Sequence, residues 1–236
     1  MDDPRRKIGH THPFIAEGGS GVYLPEGYFH LRPGKETVRL GRFTCIPIAE
    51  AQPAAAEALE DISEKTCVPV VPLRSLSPRE LAQNSGLPQR EAELARQRDF
   101  DELFFFAGAS DKDIQRFQSE CQRRKLQLRQ HGVLWSLAVG ASLPRCIRDL
   151  SQLYDRALRS HATRVGVATA DRSKDISAAC DRTFLLTEKT PEKMTEKTVN
   201  ENTNTLDQPH RGSIRSIPLH SPDLWERLLE ALTARR

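Results

Sequence analysis

Two carboxylates, Asp171 and Asp175, close the stretch Arg164-Val-Gly-Val-Ala-Thr-Ala-Asp-Arg-Ser-Lys-Asp175. Its first half is small and β-branched, the pattern of a short buried strand. Ile176-Ser-Ala-Ala-Cys180 then continues as an apolar turn of helix. A strand that ends in carboxylates just before a helix is where open α/β sheets place their ligands. Two acids at such an edge can hold a hard cation such as Mg²⁺, which is usually bound by one or two carboxylates plus phosphate oxygens of a substrate. The same acids also suit a plain helix start, where negative side chains favour the macrodipole. Spacing leaves both readings open.

Other constellations are weaker. His10-Thr-His12 puts two imidazoles on one side of an extended segment, but a zinc site needs further ligands at known spacing, so a surface loop is expected. Gly18-Gly-Ser-Gly21 can be a phosphate cradle only if a helix follows, and none is patterned there. It reads instead as a hairpin turn between Pro13–Glu17 and Val22–Pro25. No Gly-x-Ser-x-Gly elbow is present. Arg96 and Arg98, with Glu91, Glu93, Asp101 and Glu102, read as a solvated charged helix; a polar substrate-recognition rim is the other reading, and it comes only with the family resemblance given below.

The elements that must position these groups alternate. Arg39–Ile48 is strand-like, Glu50–Glu64 is an alanine-rich helix, and Cys67–Leu73 is a valine-rich strand. Ser77-Pro-Arg-Glu80 has the serine, proline and glutamate of a capping box. A charged helix over Pro88–Arg98 and a buried strand at Leu103–Phe106 follow. Ser110 caps a helix to Arg124, and strands are expected at Leu126–Leu128 and Val133–Val139. Leu143–Ser160 keeps the i, i+3, i+4, i+7 rhythm of an amphipathic helix. It opens a helix–strand–helix–strand run through Phe184–Leu186, the signature of a parallel sheet. Thr187–Asn204 holds almost no apolar residue and reads as a flexible insert. Ser213–Leu219 is a strand. The last helix, capped by Ser221 with Pro222, carries Leu224, Trp225, Leu228, Leu229 and Leu232 at helical spacing, with Trp225 expected in the core.

Composition bounds the partners. The 236 residues carry 35 basic against 32 acidic side chains, too even a balance to argue for nucleic acid or an anionic membrane. The five cysteines are scattered singly, mostly on apolar faces, which suits buried thiols in a reducing compartment. The basic N-terminus has no apolar run behind it, and no window approaches a membrane span, so a cytoplasmic protein is expected.

Particular residues then resemble a known family. Pro13-Phe-Ile-Ala-Glu-Gly-Gly-Ser-Gly-Val-Tyr-Leu-Pro25 with Gly27-Tyr-Phe29 is similar to the lead-in to the cap of mannosyl-3-phosphoglycerate phosphatases, which are haloacid dehalogenase-like phosphohydrolases with a C2-type cap. Ser85-Gly-Leu-Pro88, Glu91-Ala-Glu-Leu-Ala95 and Arg98-Asp-Phe-Asp-Glu102 resemble that family's cap signature, and Ser221-Pro-Asp-Leu-Trp225 its closing helix. The resemblance implies an α/β fold: a partial Rossmann-like core with an inserted α/β cap. The implied organisation is a core fragment and hairpin at 1–38, a cap at 39–139, and the C-terminal part of the core at 140–236 with an insert at 187–210. It further implies hydrolysis of a phosphorylated sugar or glycerate-type phosphomonoester, with Mg²⁺ held by Asp171 and Asp175 and substrate held by Arg98, Glu102, Arg145 and Lys174.

The chain departs from that pattern where chemistry is concentrated. No Asp-x-Asp ends a first strand, since Asp2-Asp3 precede a basic turn. The family's lysine at a helix start corresponds to Leu143-Pro-Arg-Cys146, with Arg145 the nearby cation, and Lys174 stands where an asparagine belongs. Lys174 beside two acids competes with a metal for them. Loss of one member of a covalent catalytic unit costs several powers of ten in rate. The expectation is therefore a phosphatase-like protein with impaired catalysis; the alternative is a non-catalytic binder of a sugar phosphate or of a partner chain completing the core.

Overall fold

The computed structural model describes residues 5, 9–30, 36–187, 213–218 and 224–233. Beyond Thr187, the expected insert lies outside the described residues, as do Asp2-Asp3 and the Ser221-Pro222 cap. The chain divides into two compact units, Met1–Cys146 and Ile147–Arg236.

In the first unit, the glycine-rich segment makes a hairpin. β1 (Phe14–Ala16) and β2 (Gly21–Pro25) pair antiparallel with Phe14 opposite Tyr23. The turn needs left-handed backbone at Glu17, Gly18 and Gly19 (φ +49°, +67° and +102°), which glycine adopts at little cost and glutamate does not. Gly19 has a second constraint: a Cβ there would lie 2.4 Å from the Leu143 backbone nitrogen. The strand expected over 39–48 is instead two, β3 (Val38–Leu40) and β4 (Phe43–Pro47). Gly41, at φ +58°, folds them into a second hairpin. Together the four strands form an antiparallel sheet in the order β1-β2-β4-β3.

The second sheet of this unit is also antiparallel, ordered β5-β6-β8-β7, from Val70–Pro72, Asp101–Phe106, Leu134–Ala138 and Gln127–His131. Side chains alternate along β6, so its two faces are covered differently. Phe104 faces α1 (Gln52–Thr66) and α4 (Asp111–Arg123), where Leu59, Ile62, Phe117, Trp135 and Leu137 complete a dry core. Each such large apolar side chain contributes about 1.5–3 kcal/mol on full burial. Leu103 faces α2 (Pro78–Ser85) and α3 (Gln89–Ala95) through Leu81 and Ala92. Ser77 with Glu80, and Ser110 with Asp113, form reciprocal capping boxes, the first of them as its sequence requires. The helix expected to reach Arg98 stops at Ala95, and the residues after it turn inward.

Helix α5 (Leu143–Leu158) leads into the second unit. There β9 (Val165–Ala168), β10 (Arg182–Thr187) and β11 (Ser213–Pro218) run parallel in the order β11-β10-β9, as the alternating pattern implies. A 3₁₀ turn (Ala170–Arg172) and α6 (Ser173–Ser177) connect β9 to β10. Arg164 and Asp181 clamp that crossover, the guanidinium donating to both carboxylate oxygens at 3.2 Å. In α7 (Leu224–Thr233), Leu224 packs on Phe184, whereas Trp225 is 74% exposed. The expectation of a core Trp225 is thus overturned: adjacent helix positions face different directions, and Leu224 takes the inward one. Among the described residues, no helix is long and apolar enough to cross a membrane.

Candidate functional site

The most concentrated chemistry of the first unit is built on Glu17. Its left-handed backbone directs a buried carboxylate at the loop that opens β6. Glu17 Oε1 accepts from the Asp99 amide (3.1 Å), and Oε2 accepts from the amides of Phe100 (2.8 Å) and Asp101 (3.1 Å). Burial pushes this carboxyl above its ordinary range, against the pull of the Arg98 guanidinium. Arg98 is itself spent on Asp101, donating from Nε (2.6 Å) and Nη2 (2.8 Å) in a bidentate pair that is almost wholly buried. The Tyr23 hydroxyl donates to Asp99 Oδ2 at 2.9 Å, and burial raises its pKa.

These groups border a cleft of about 410 Å³, shared with Arg39, Arg42 and Phe43 from the β3–β4 hairpin and Gln97 from the loop after α3. Sequence reasoning missed Glu17, Tyr23, Asp99, Arg39, Arg42 and Gln97. The glutamate beside a glycine pair is the sole local hint, and its partners lie more than 80 residues downstream.

The structure separates the expected substrate-binding residues. Arg98 is at the cleft, facing Asp101. Glu102 points to the other side of β6, buried, where Gln52 donates to it, the Arg74 guanidinium lies 3.8 Å away and burial raises its pKa. Arg98 and Glu102 therefore form neither an open rim nor a solvated helix face. Arg145 is exposed in the first turn of α5, its amide 3.4 Å from Ser142 Oγ. His10 accepts from Arg5 Nε at 3.2 Å and His12 Nδ1 lies 2.8 Å from the Tyr28 hydroxyl, so both imidazoles belong to a surface network.

In the second unit, Asp171, Lys174 and Asp175 lie together beyond the carboxyl end of β9, in the 3₁₀ turn and α6. Both oxygens of Asp171 are engaged: Thr169 Oγ1 donates to Oδ1 at 2.5 Å, and Arg172 Nε lies 3.4 Å from Oδ2. Asp175 is not free either, and Lys174 is exposed. Among the described residues, no three His, Cys, Asp or Glu side chains gather as a metal requires. The pair as it stands makes up only part of a Mg²⁺ site, and the Arg172 guanidinium, 3.4 Å from Asp171, competes for one of its oxygens. Two Asp-x-Asp pairs occur among the described residues: Asp99 and Asp101 are held as above, and of Asp111 and Asp113 the latter serves in the cap of α4.

No known family profile matches the chain. It is 25% identical over 180 residues to a glucosyl-3-phosphoglycerate/mannosyl-3-phosphoglycerate phosphatase of Methanococcoides burtonii, covering 74% of this chain and 63% of that one. A protein of the same name from Persephonella marina is 24% identical over 175 residues, covering 73% and 61%. The chain thus spans about three-fifths of the length of these curated relatives. The crystal structure of TM0651 from Thermotoga maritima superposes with a TM-score of 0.53 at 12% identity, covering 99% of this chain and 80% of that one. The chain resembles the mannosyl-3-phosphoglycerate phosphatases, as its hairpin and cap residues imply, and its fold is a partial Rossmann-like core of the haloacid dehalogenase type with an α/β cap.

Proposed function

We propose that this protein is built on the scaffold of a phosphomonoester hydrolase acting on a glycosylated phosphoglycerate, with catalysis impaired in the chain as given. The reading is carried by the acids Asp171 and Asp175 beyond the tip of a parallel strand, in a chain similar to two phosphatases of that specificity. Carboxylate attack on a phosphoryl group needs an unengaged, positioned carboxylate. Asp101 is held by Arg98, Asp113 by the cap of α4, and Asp99 accepts the Tyr23 hydroxyl, while Asp171 accepts from Thr169 and lies beside Arg172. Mg²⁺, which the resemblance implies, finds half a site here, and no step is routed through it.

Strand β9 is the outer member of its three-stranded sheet among the described strands. A further parallel strand pairing there, from a partner chain, is where an additional carboxylate would enter. The division of the chain into a core fragment at 1–38, a cap at 39–139 and a returning core at 140–236 is part of this reading.

The test is phosphate release from mannosyl-3-phosphoglycerate with Mg²⁺ and with a chelator. Slow, Mg²⁺-dependent release that disappears in Asp171→Asn supports the reading, and full activity in that variant removes the metal assignment. The engaged state of these carboxylates also favours a second reading, binding of a sugar phosphate without turnover, which predicts a calorimetric signal and no phosphate release.

A further inference from the structure

We propose that Phe14, Phe43, the His10 imidazole and the His12 carbonyl form a binding site for an arginine side chain, that Arg5 is its resident ligand, and that acid empties the site through His10. The proposal is independent of the hydrolase reading, since it involves neither phosphate nor turnover.

Two aromatic rings make the corner. Phe14 of β1 and Phe43 of β4 meet edge to face, their centroids 5.2 Å apart and their planes at 85°. The Arg5 guanidinium carbon stands 3.8 Å from the Phe14 centroid and 5.3 Å from that of Phe43. A guanidinium within about 6 Å of a ring centroid is held by the ring quadrupole. Being flat, it also stacks there as an ammonium does not.

Two acceptors then fix the fork. Arg5 Nη2 donates to the His12 carbonyl at 2.5 Å, and His10 Nδ1 lies 3.2 Å from Nε and 3.0 Å from Nη2. The chain bends to bring Arg5 back over its own successors. Gly9 is left-handed at φ +63°, and the His10 amide donates to the Arg5 carbonyl at 2.9 Å. Ring faces alone accept any cation; the added pair of acceptors selects a guanidinium.

His10 makes the site sensitive to pH. Arginine carries only donors, so Nδ1 is the acceptor and the imidazole is neutral. Protonation turns that nitrogen into a donor, which removes the bond to the fork and sets two like charges against each other. The other charged or titratable groups around His10 are His12, its ring centroid 5.6 Å away, and Glu26 and Arg42, which line a cleft of about 290 Å³ with it. They move the point at which His10 charges and leave the direction of the effect unchanged. His12 keeps its own tie in either state, because the Tyr28 hydroxyl 2.8 Å from its Nδ1 accepts as well as donates. Arg5 alone is released. Phe14 and Phe43 also border the 410 Å³ cleft, so its departure bares ring surface at the edge of that cleft.

The test is nuclear Overhauser contact between the Arg5 side chain and the Phe14 ring in the full chain, at about pH 7.5 and about pH 5, either side of the histidine range. A clear contact at the higher pH and one about tenfold weaker at the lower are expected. His10→Gln keeps an acceptor oxygen and carries no titrating proton, so its contact is expected at both values. Arg5→Lys keeps the charge and loses the fork, so the lysine contact is expected to be about tenfold weaker at the higher pH. His10 is exposed, and its variant is expected to keep the parent's amide spectrum away from the segment. The proposal is overturned if the parent shows no contact at the higher pH, if the contact survives acid, if it fades equally in His10→Gln, or if lysine holds the corner as arginine does.

Discussion

Removing the Glu17 carboxylate should cost more than any surface change in the first unit. In Glu17→Ala the amides of Phe100 and Asp101 lose their acceptor inside the protein, while that of the more exposed Asp99 can turn to water. A buried donor left unsatisfied costs about 1–3 kcal/mol, so two cost about 4 kcal/mol at the middle of that range. Relief from keeping a charge buried returns about 1 kcal/mol, leaving a loss of about 3 kcal/mol. Glu17→Gln keeps one acceptor oxygen but turns an amide donor toward a backbone N–H, so its loss is smaller, about 1–2 kcal/mol.

The measurement is urea unfolding followed through Trp135, in a Trp225→Phe background so that the exposed indole of the other unit is silent. A midpoint shift at unchanged slope reads as stability. The pH dependence provides a second readout. Burial raises the Glu17 pKa in the folded state, so the folded chain holds this proton where the unfolded chain has released it. Stability from this group is therefore full below the ordinary glutamate range and is lost as pH rises through the raised folded value. That descending slope should be absent from Glu17→Gln. An alanine variant within about 0.5 kcal/mol of the parent, the usual span of a neutral surface change, would refute the reasoning.

Three further outcomes follow from local geometry. Gly166→Ala places a Cβ 2.2 Å from Ile176 Cγ2 and 3.1 Å from Cys180 Sγ, so it should cost about 1–3 kcal/mol, measured by thermal unfolding and partly recovered by Ile176→Ala. Native protein should react with a thiol reagent at Cys67 first, because Cys45, Cys121, Cys146 and Cys180 are buried. Burial also pushes the Cys45 and Cys121 thiols up to about 12; rapid modification of all five without denaturant would contradict this packing. Asp171→Asn should leave folding within about 0.5 kcal/mol of the parent, since its carboxylate is 71% exposed, so any loss of phosphate release in that variant reports on chemistry.

Sequence by itself determined the periodic elements. The helical rhythm from Leu143, the capping box at Ser77 and the small, β-branched strand before Asp171 are local patterns, and local patterns specify the elements they belong to. The family resemblance was legible for the same reason, in the glycine hairpin and in the cap signature. Tertiary structure alone decided what the charged residues do. Nothing near Glu17 in the chain announces that it will hold three amides more than 80 residues away. Nothing near Arg98 and Glu102 says that one will line a cleft while the other is buried across the sheet. A charged side chain reads from sequence as solvated by default, and a partner distant in the chain becomes its neighbour only when the strands register. The same holds for Trp225, which is apolar at helical spacing yet exposed, because the packing of one helix on one sheet chooses which side of the helix is inward.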